Sequence, residues 1–583
     1  RICNCSIKIK KVLNVMDQGF QSMGTADSSP DPSPLQDPRT KQMLFFALLA
    51  GLVFAVYASS IDGPFIFDDS RIENNPPLHI TELSAAGLIK AGFASSPKTR
   101  PLSYMSFALN YYFHGFNTRG YHLVNIAIHL LTAYFLYLFI STTLNLPPLQ
   151  SRYGKAKWLP FAAALIWALH PLQTQSVTYI IQRMNSMAAM FYILALYLYV
   201  QGRLTGNKQK KLLLFAGTAL AGIFALGSKE IAVTLPLFIF LYEWFFFRDL
   251  STGWLKKQII PAAIMLAVIV FLALLYLGLN PVDRIMASYA SRDFNLSQRL
   301  LTEFRVVVFY ISLILFPHPS RLNLDHHIVF SSGLFSPLST CIAAAVIVLL
   351  FVTALVTARK ERLISFCILW FLGNLVVESS VIGLELIFEH RNYLPSMLFV
   401  LLLVVLFRSM VKQPWLRIGS LCIILVLLSF WTFERNRVWA DRISLWGDSA
   451  AKSPAKARPH NNLAVALKAD GQLEKAIFHF KQTVELDPQF FEAYYNLGNA
   501  YVTLGRDKEA ILYFKKALEH VPENPMLHAN LANALFNTWQ LAAARYHYSE
   551  AVRLNPGDMN ARINLANVEQ MLRAQKSRQQ KLP

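Results

Sequence analysis

The chain has 583 residues, 54% hydrophobic and 15% charged, with a formal net charge of +20. Repeated long apolar runs exclude an ordinary soluble enzyme and predict an all-α polytopic membrane protein, long enough to add one soluble domain. The basic balance does not point to nucleic acid, because much of the Lys and Arg lies in short loops between apolar runs and no zinc-finger or RNA-binding signature accompanies it.

Residues 1–40 are set aside as a disordered or non-native segment. The chain starts at Arg1, Met16 and Met23 are both start candidates, and 24–40 is rich in Pro, Ser and Asp. The first apolar run, Met43 to Ser59, then reads as an uncleaved anchor. Directly after it, Pro64 to Asp69 ends in two adjacent carboxylates, Asp68 and Asp69. Carboxylates are costly in hydrocarbon and tend to be kept for function there, although the pair equally marks a helix exit.

An outer loop over 60–120 holds Arg100 to Tyr111, which reads as an interfacial amphipathic helix. Further spans are predicted near 121–143, 158–171, 185–201, 211–227, 231–247, 258–279, 334–357, 362–384, 393–410 and 415–433. Alternate loops are basic: Arg152, Lys155 and Lys157, then Arg203, Lys208, Lys210 and Lys211, then Arg248, Lys256 and Lys257. These loops are cytoplasmic by the positive-inside rule, which leaves the acidic pair outside. Val306 to Phe316 is apolar but short, between Arg299, Glu303 and Arg305 on one side and Pro317 and Pro319 on the other. Placing 299–316 in the interface, or partway in, keeps Arg359 to Arg362 inside. It gives eleven crossings within a transmembrane domain over 41–435, and the chain after Phe433 emerges on the outer face. Of the five cysteines, Cys341, Cys367 and Cys422 lie in apolar runs, and with Cys3 and Cys5 they form no disulfide framework or metal pattern.

Pro454, Pro488, Pro522 and Pro556 are spaced 34 residues apart. That period predicts tetratricopeptide (TPR) repeats over 440–573, followed by a basic tail over 574–583. Asn462, Asn496, Asn530 and Asn564 share the period. Stacking would line their amides along the concave face, where a donor and an acceptor suit an extended peptide. Asparagine is also common at this position of generic repeats.

Polar side chains concentrate on the outer side: His170, Gln175, Gln182 and Arg183, then Ser228 to Glu230, Glu378, and Glu389 to Asn392. One-sided His, Arg, Lys and Glu predict a site for an anionic group at the outer leaflet. Plainer readings stand beside it. Lys229 and Glu230 can form a structural ion pair, Arg391 can snorkel, and His122 and His129 read as packing residues. Asp325, His326 and His327 lack partner spacing for a metal. No Walker-type phosphate loop and no Gly-x-Ser-x-Gly elbow is present.

In order, Pro64 to Asp69, Arg100 to Leu102, Gly120 to Asn125, Leu169 to Thr174, Ser228 to Glu230, Arg321 to Asp325 and His390 to Pro395, followed by the repeats, resemble the transmembrane-and-TPR protein O-mannosyltransferase group of the GT-C glycosyltransferases. The likeness covers most of 43–570, and the short loops resemble those of a bacterial member. The resemblance implies a GT-C-like bundle in the inner membrane. It would take a sugar from a polyprenyl-phosphate donor and pass it to a protein Ser/Thr or glycan acceptor at the outer face. The repeats would be periplasmic and would recruit the acceptor or a partner protein. It further implies that Asp68 or Asp69 is the general base for the acceptor hydroxyl, or helps hold a divalent cation. Arg391, His390, Lys229 and Arg100 would meet the donor phosphate, supported by Glu230, His170 and Arg183. Gln175 departs from the pattern, because such sequences often carry an acid there. Two other readings stay open on the residues alone: a non-catalytic membrane-anchored repeat scaffold for envelope or polysaccharide assembly, and a lipid or glycan transporter.

Overall fold

The computed structural model describes residues 38–277, 280–290 and 292–579. The expectations for 1–37 and for the end of the basic tail, 580–583, lie outside the described residues. Among the described residues the chain is helical, with one isolated bridge between Gly333 and Ser336 and no strand.

The expected spans fall on helices. Among the described residues seven are long and apolar enough to cross a membrane: Gln42–Ser60, Thr118–Leu144, Ile180–Leu204, Lys208–Leu226, Glu230–Phe247, Leu338–Thr357 and Pro414–Val438. The segments near 158–171, 362–384 and 393–410 fall on shorter apolar helices, Trp158–Ala168, Arg362–Leu375 and Ser396–Met410, and 258–279 on Ile259–Leu277. The difference in length follows from burial. Ser396–Met410 and Trp158–Ala168 sit in the middle of the bundle, buried on nearly all sides. Leu338–Thr357 and Pro414–Val438 leave rows of Leu, Val, Ile and Phe exposed around its outside. Such a surface is unfavourable in water and neutral in lipid, as in a multi-pass membrane bundle.

The helix Leu296–Leu315 is as long as a span but is not apolar enough to be one. Its buried face carries Arg299 and Glu303, 3.1 Å apart, beside Val306, Tyr310 and Leu313. Asn295 caps its first turn by accepting from the Gln298 amide.

After Trp439 and the linking helix Arg442–Lys452 come three helix pairs. They are Ala457–Ala469 with Leu473–Leu486, Phe491–Thr503 with Asp507–His520, and Pro525–Asn537 with Leu541–Leu554, closed by Met559–Gln579. Small residues let the pairs approach: a Cβ on Gly498 would lie 2.4 Å from the Phe514 ring. Within each pair the turn needs a left-handed residue, supplied by Gly471 and Gly505 and, in the third, by Trp539 at φ 60°.

Among the described residues two large cores organise the chain, beside a small cluster of Ile128, Met187 and Met190. One fills the bundle. The other runs from Phe65, Ile66 and Ile72 of the acidic loop through Tyr104, Tyr179, Trp439 and Trp446 to Leu463, Leu497, Leu531 and Val568 of the repeats. The acidic loop and the solenoid therefore pack together at one end of the bundle.

Candidate active site

The acidic pair sits on the tight turn Phe67–Asp69 and the helix Ser70–Glu73. Asp69 is 1% exposed. Its Oδ2 accepts the Ile66 amide at 2.9 Å and its Oδ1 the Ile181 amide at 2.7 Å. Burial pushes this carboxyl up and the two amides partly offset it. Asp68 is different. Its amide donates to the Tyr179 hydroxyl at 2.8 Å, while its carboxylate is 34% exposed and meets Arg71 at 3.2 Å. Adjacent residues thus divide the work: Asp69 holds the loop in place and Asp68 faces outward.

Four of the sequence-predicted residues come together. Arg100 donates from Nε to both Glu230 oxygens at 3.1 and 3.0 Å and from Nη2 at 2.9 Å, and the Thr99 hydroxyl also donates to Glu230. Lys229 is buried, with Nζ 2.8 Å from Glu378 Oε1 and 3.1 Å from Asn185 Oδ1. Burial lowers the Lys229 ammonium, Glu378 pulls it up, and the charges of Arg100 and Arg391 push it down again. His390 is held well below its ordinary range by burial and by Lys229, Arg391 and Arg100. Asn185 joins Lys229 to His390: it accepts from Lys229 and its Nδ2 donates to the His390 carbonyl at 2.7 Å. The His390 backbone amide and Nδ1 both reach Gln175 Oε1, at 2.8 and 3.0 Å. Nδ1 is therefore the protonated nitrogen of a neutral ring, and Nε2 is left as an acceptor.

Arg391 stands apart from the other cations. It is 4% exposed, and Nη1 and Nη2 donate to the Leu386 and Glu385 carbonyls at 2.9 and 2.6 Å. Its buried Nε has no partner, and among the described residues no carboxylate is in contact with it. Glu303 and Glu378 act on it only through their fields. A furrow of about 1140 Å³ runs along the bundle between the stretches 237–252, 300–307, 347–359 and 369–380. Leu, Val, Phe and Ile line most of it, with Thr252, Glu303, Arg359, Ser379 and Ser380 among its polar residues, and Glu303 lies in the field of Arg391.

The supporting residues separate. Glu230 belongs to the cluster through Arg100. His170 braces a turn, its Nδ1 accepting the Leu172 amide at 3.2 Å and its Nε2 facing the Ile314 carbonyl at 3.1 Å. Arg183 is fully buried on Asn125 Oδ1 at 2.6 Å and the Tyr121 carbonyl at 2.9 Å. Both shape the framework. Sequence reasoning placed Glu378 only in the outer polar cluster and gave no role to Asn185 or Tyr179; Asn185 stands two residues beyond Arg183, the one local signal available.

The donor set does not fit a divalent cation. Both Asp69 oxygens are taken by amides, Asp68 faces Arg71, and among the described residues no three His, Cys, Asp or Glu side chains converge. Asp325 is paired with Lys456 and Arg458, and His326 lies 3.0 Å from Glu389.

The asparagine row is partly spent between repeats. Asn530 Nδ2 donates to Asn499 Oδ1 at 3.1 Å and to the Tyr495 hydroxyl at 3.2 Å, and Asn564 Nδ2 lies 3.4 Å from Asn533 Oδ1. Asn496 accepts from Lys468 at 3.3 Å and Asn462 from Asn461 at 3.2 Å. A cavity of about 330 Å³ remains beside Asn530, Asn533, Tyr548 and Asn564.

Family models described as TPR repeat and Tetratricopeptide repeat match residues 466–505, 491–524 and 512–559. A protein O-mannosyl-transferase of Caenorhabditis elegans is 25% identical over 79% of this chain and 65% of its own length. Protein O-mannosyl-transferase TMTC1 of Homo sapiens is 26% identical over 78% of this chain and 56% of its own. The chain thus spans somewhat over half the length of these curated relatives. Among solved structures, MamA from Desulfovibrio magneticus RS-1 is 19% identical, covering 23% of this chain and 76% of its own, with a TM-score of 0.22. The chain is therefore a tetratricopeptide-repeat membrane protein similar, over nearly four-fifths of its length, to the TMTC-family protein O-mannosyl-transferases.

Proposed function

We propose that the chain is a GT-C-type membrane glycosyltransferase. It moves a sugar from a polyprenyl-phosphate donor to a protein Ser/Thr or glycan hydroxyl at the outer face of the membrane, with the repeats presenting the acceptor or a partner. Arg391 carries this reading. It is buried in the field of Glu303 and Glu378 with no carboxylate in contact and an unpartnered Nε–H, and a phosphate oxygen can take that charge-assisted hydrogen bond. The adjoining furrow has the apolar lining that a polyprenyl tail needs, and it opens among helices with lipid-facing sides. The shared core of acidic loop and repeats, with the alternating basic loops, supports both lying on the non-cytoplasmic side.

Asp68 is the accessible carboxylate. It takes the proton from the acceptor hydroxyl as that oxygen bonds to the anomeric carbon. The bond from that carbon to the phosphate oxygen breaks with inversion, and the electron pair leaves on the phosphate. Arg391 and Lys229 meet the growing charge in a site already ordered for it. The neutral His390 offers Nε2 to a sugar hydroxyl. The test is incubation of purified protein with polyprenyl-phosphate sugars and acceptor peptides. Transfer with inversion is expected, and its loss in Asp68→Asn. A protein that binds no polyprenyl phosphate and transfers no sugar is a scaffold instead.

A further inference from the structure

Arg458, on the first helix of the first repeat, lies far along the chain from both halves of the site, yet it touches elements that carry each. Its Nε and Nη2 grip Asp325 at 2.6 and 2.8 Å, and Nη1 reaches Glu385 Oε1 at 2.9 Å. The Glu385 carbonyl in turn accepts Arg391 Nη2 at 2.6 Å. The guanidinium also lies 5.5 Å from the centre of the Phe67 ring, next to Asp68. Phe67 has φ 53°, a left-handed conformation that a phenylalanine adopts only when its surroundings hold it there. The bundle holds the neighbouring Asp68 and Asp69 through Tyr179 and Ile181, and the repeat side supplies the contacts around Phe67: Arg458, the Trp446 ring at 5.7 Å, and Arg442, which donates to the Phe65 carbonyl at 3.2 and 3.0 Å.

We propose that Arg458 is a positioning residue for transfer: by clamping Phe67 and Glu385 together it sets the spacing between the Asp68 carboxylate and Arg391, so the site is complete only with the solenoid docked. This rests on the glycosyltransferase reading. Lys456 supplies the comparison. It pairs with the same Asp325 and reaches the His326 carbonyl at 3.3 Å, but shares neither the Phe67 nor the Glu385 contact of Arg458. A loss of docking alone would expose the first repeat together with the loop, whereas a loss of positioning frees the loop while the repeat stays docked.

The experiment uses the full-length protein with Arg458→Ala, Arg458→Lys and Lys456→Ala. Misplacing reacting groups costs on the order of 10–100-fold in rate. Arg458→Ala should lose kcat to that extent with donor affinity unchanged. Arg458→Lys should recover only part, because a lysine cannot fork between two carboxylates. Lys456→Ala should keep kcat. Hydrogen exchange gives a readout independent of chemistry. The Ile66 and Asp69 amides should exchange faster in Arg458→Ala and not in Lys456→Ala, while Leu463 and Leu467 stay protected in both. Equal kcat losses in the two alanine variants, or unchanged exchange at 65–69 in Arg458→Ala, overturn the proposal. If the unaltered protein transfers no sugar, the functional reading fails, and the exchange comparison alone decides whether Arg458 holds the loop.

Discussion

Replacing each acidic residue with asparagine separates two roles that adjacency hides. In Asp69→Asn the side chain keeps its size but offers one oxygen where two buried amides need acceptors, at 2.9 and 2.7 Å. A carboxyl group has a lone pair on each oxygen in either protonation state, and an amide nitrogen has none. One buried N–H is left unpaired, at a cost of about 1–3 kcal/mol. That is a large share of a typical stability of about 5–15 kcal/mol. In Asp68→Asn the loss is an ion pair with a partner 59% exposed, worth about 0–1 kcal/mol. Its stability should hardly change, while removal of a general base lowers the rate by about 10²–10⁴-fold. Denaturant unfolding and sugar transfer, measured on the same detergent-solubilised samples, give both axes. The reasoning fails if Asp69→Asn is as stable as the parent, or if Asp68→Asn transfers sugar at a normal rate.

Arg391→Ala should weaken binding of a polyprenyl phosphate by about 10–100-fold, from the loss of a charge-assisted contact of ~1.5–3 kcal/mol. Arg391→Lys should recover part of this, and unchanged titration in the alanine variant removes Arg391 from the site. Burial alone would raise the Asp325 carboxyl, but Arg458 and Lys456 outweigh it and hold it below its ordinary value. Its stabilisation is therefore full above the unfolded value and is lost as pH falls through the folded one, so proteolysis at 453–457 should accelerate below about pH 4, and Asp325→Asn should abolish that pH dependence. Trp539→Gly should stabilise the repeats by about 0.5–1 kcal/mol, because Trp539 is 73% exposed and strained at φ 60° where the equivalent turns use glycine. A lower unfolding midpoint would mean the indole has packing that its exposure conceals. Asn530→Ala should cost about 1–2 kcal/mol from its two inter-repeat bonds, read by denaturant unfolding; a neutral result would return the whole amide to peptide binding.

Features with a period or a length were legible in the sequence. The 34-residue proline spacing gave the repeats because each proline follows the end of a helix, and the apolar runs gave the bundle helices because hydrocarbon demands them. The sequence did not tell which apolar helices face lipid. Ser396–Met410 and Pro414–Val438 are both rich in Leu and Val, yet the first is sealed inside the bundle and the second lies on its outside. That difference depends on neighbours remote in the chain. The asparagine period was visible too, but a period cannot show that Asn530 donates back to Asn499 across a repeat boundary.

The site divides in the same way. Local chemistry marked Asp68, Asp69, Lys229 and Arg391, because charge beside an apolar run stands out. What each one does depends on partners far away in sequence. Asp69 is tied into the loop because Ile181, 112 residues on, presents its amide there. Lys229 is compensated because Glu378, 149 residues on, folds back to it, and Glu230 points the other way, to Arg100. Lys229 and Glu230, which could have been an ion pair with each other, belong to two different pairs. Arg391 is left with no contacting carboxylate and a buried, unpartnered Nε once those pairings are made, and no reading of its neighbours in the chain could have shown that. That open hydrogen-bonding position exists only as a difference between pairings, so it becomes visible only when the whole outer end of the bundle is assembled, with the first repeat docked against it through Arg458.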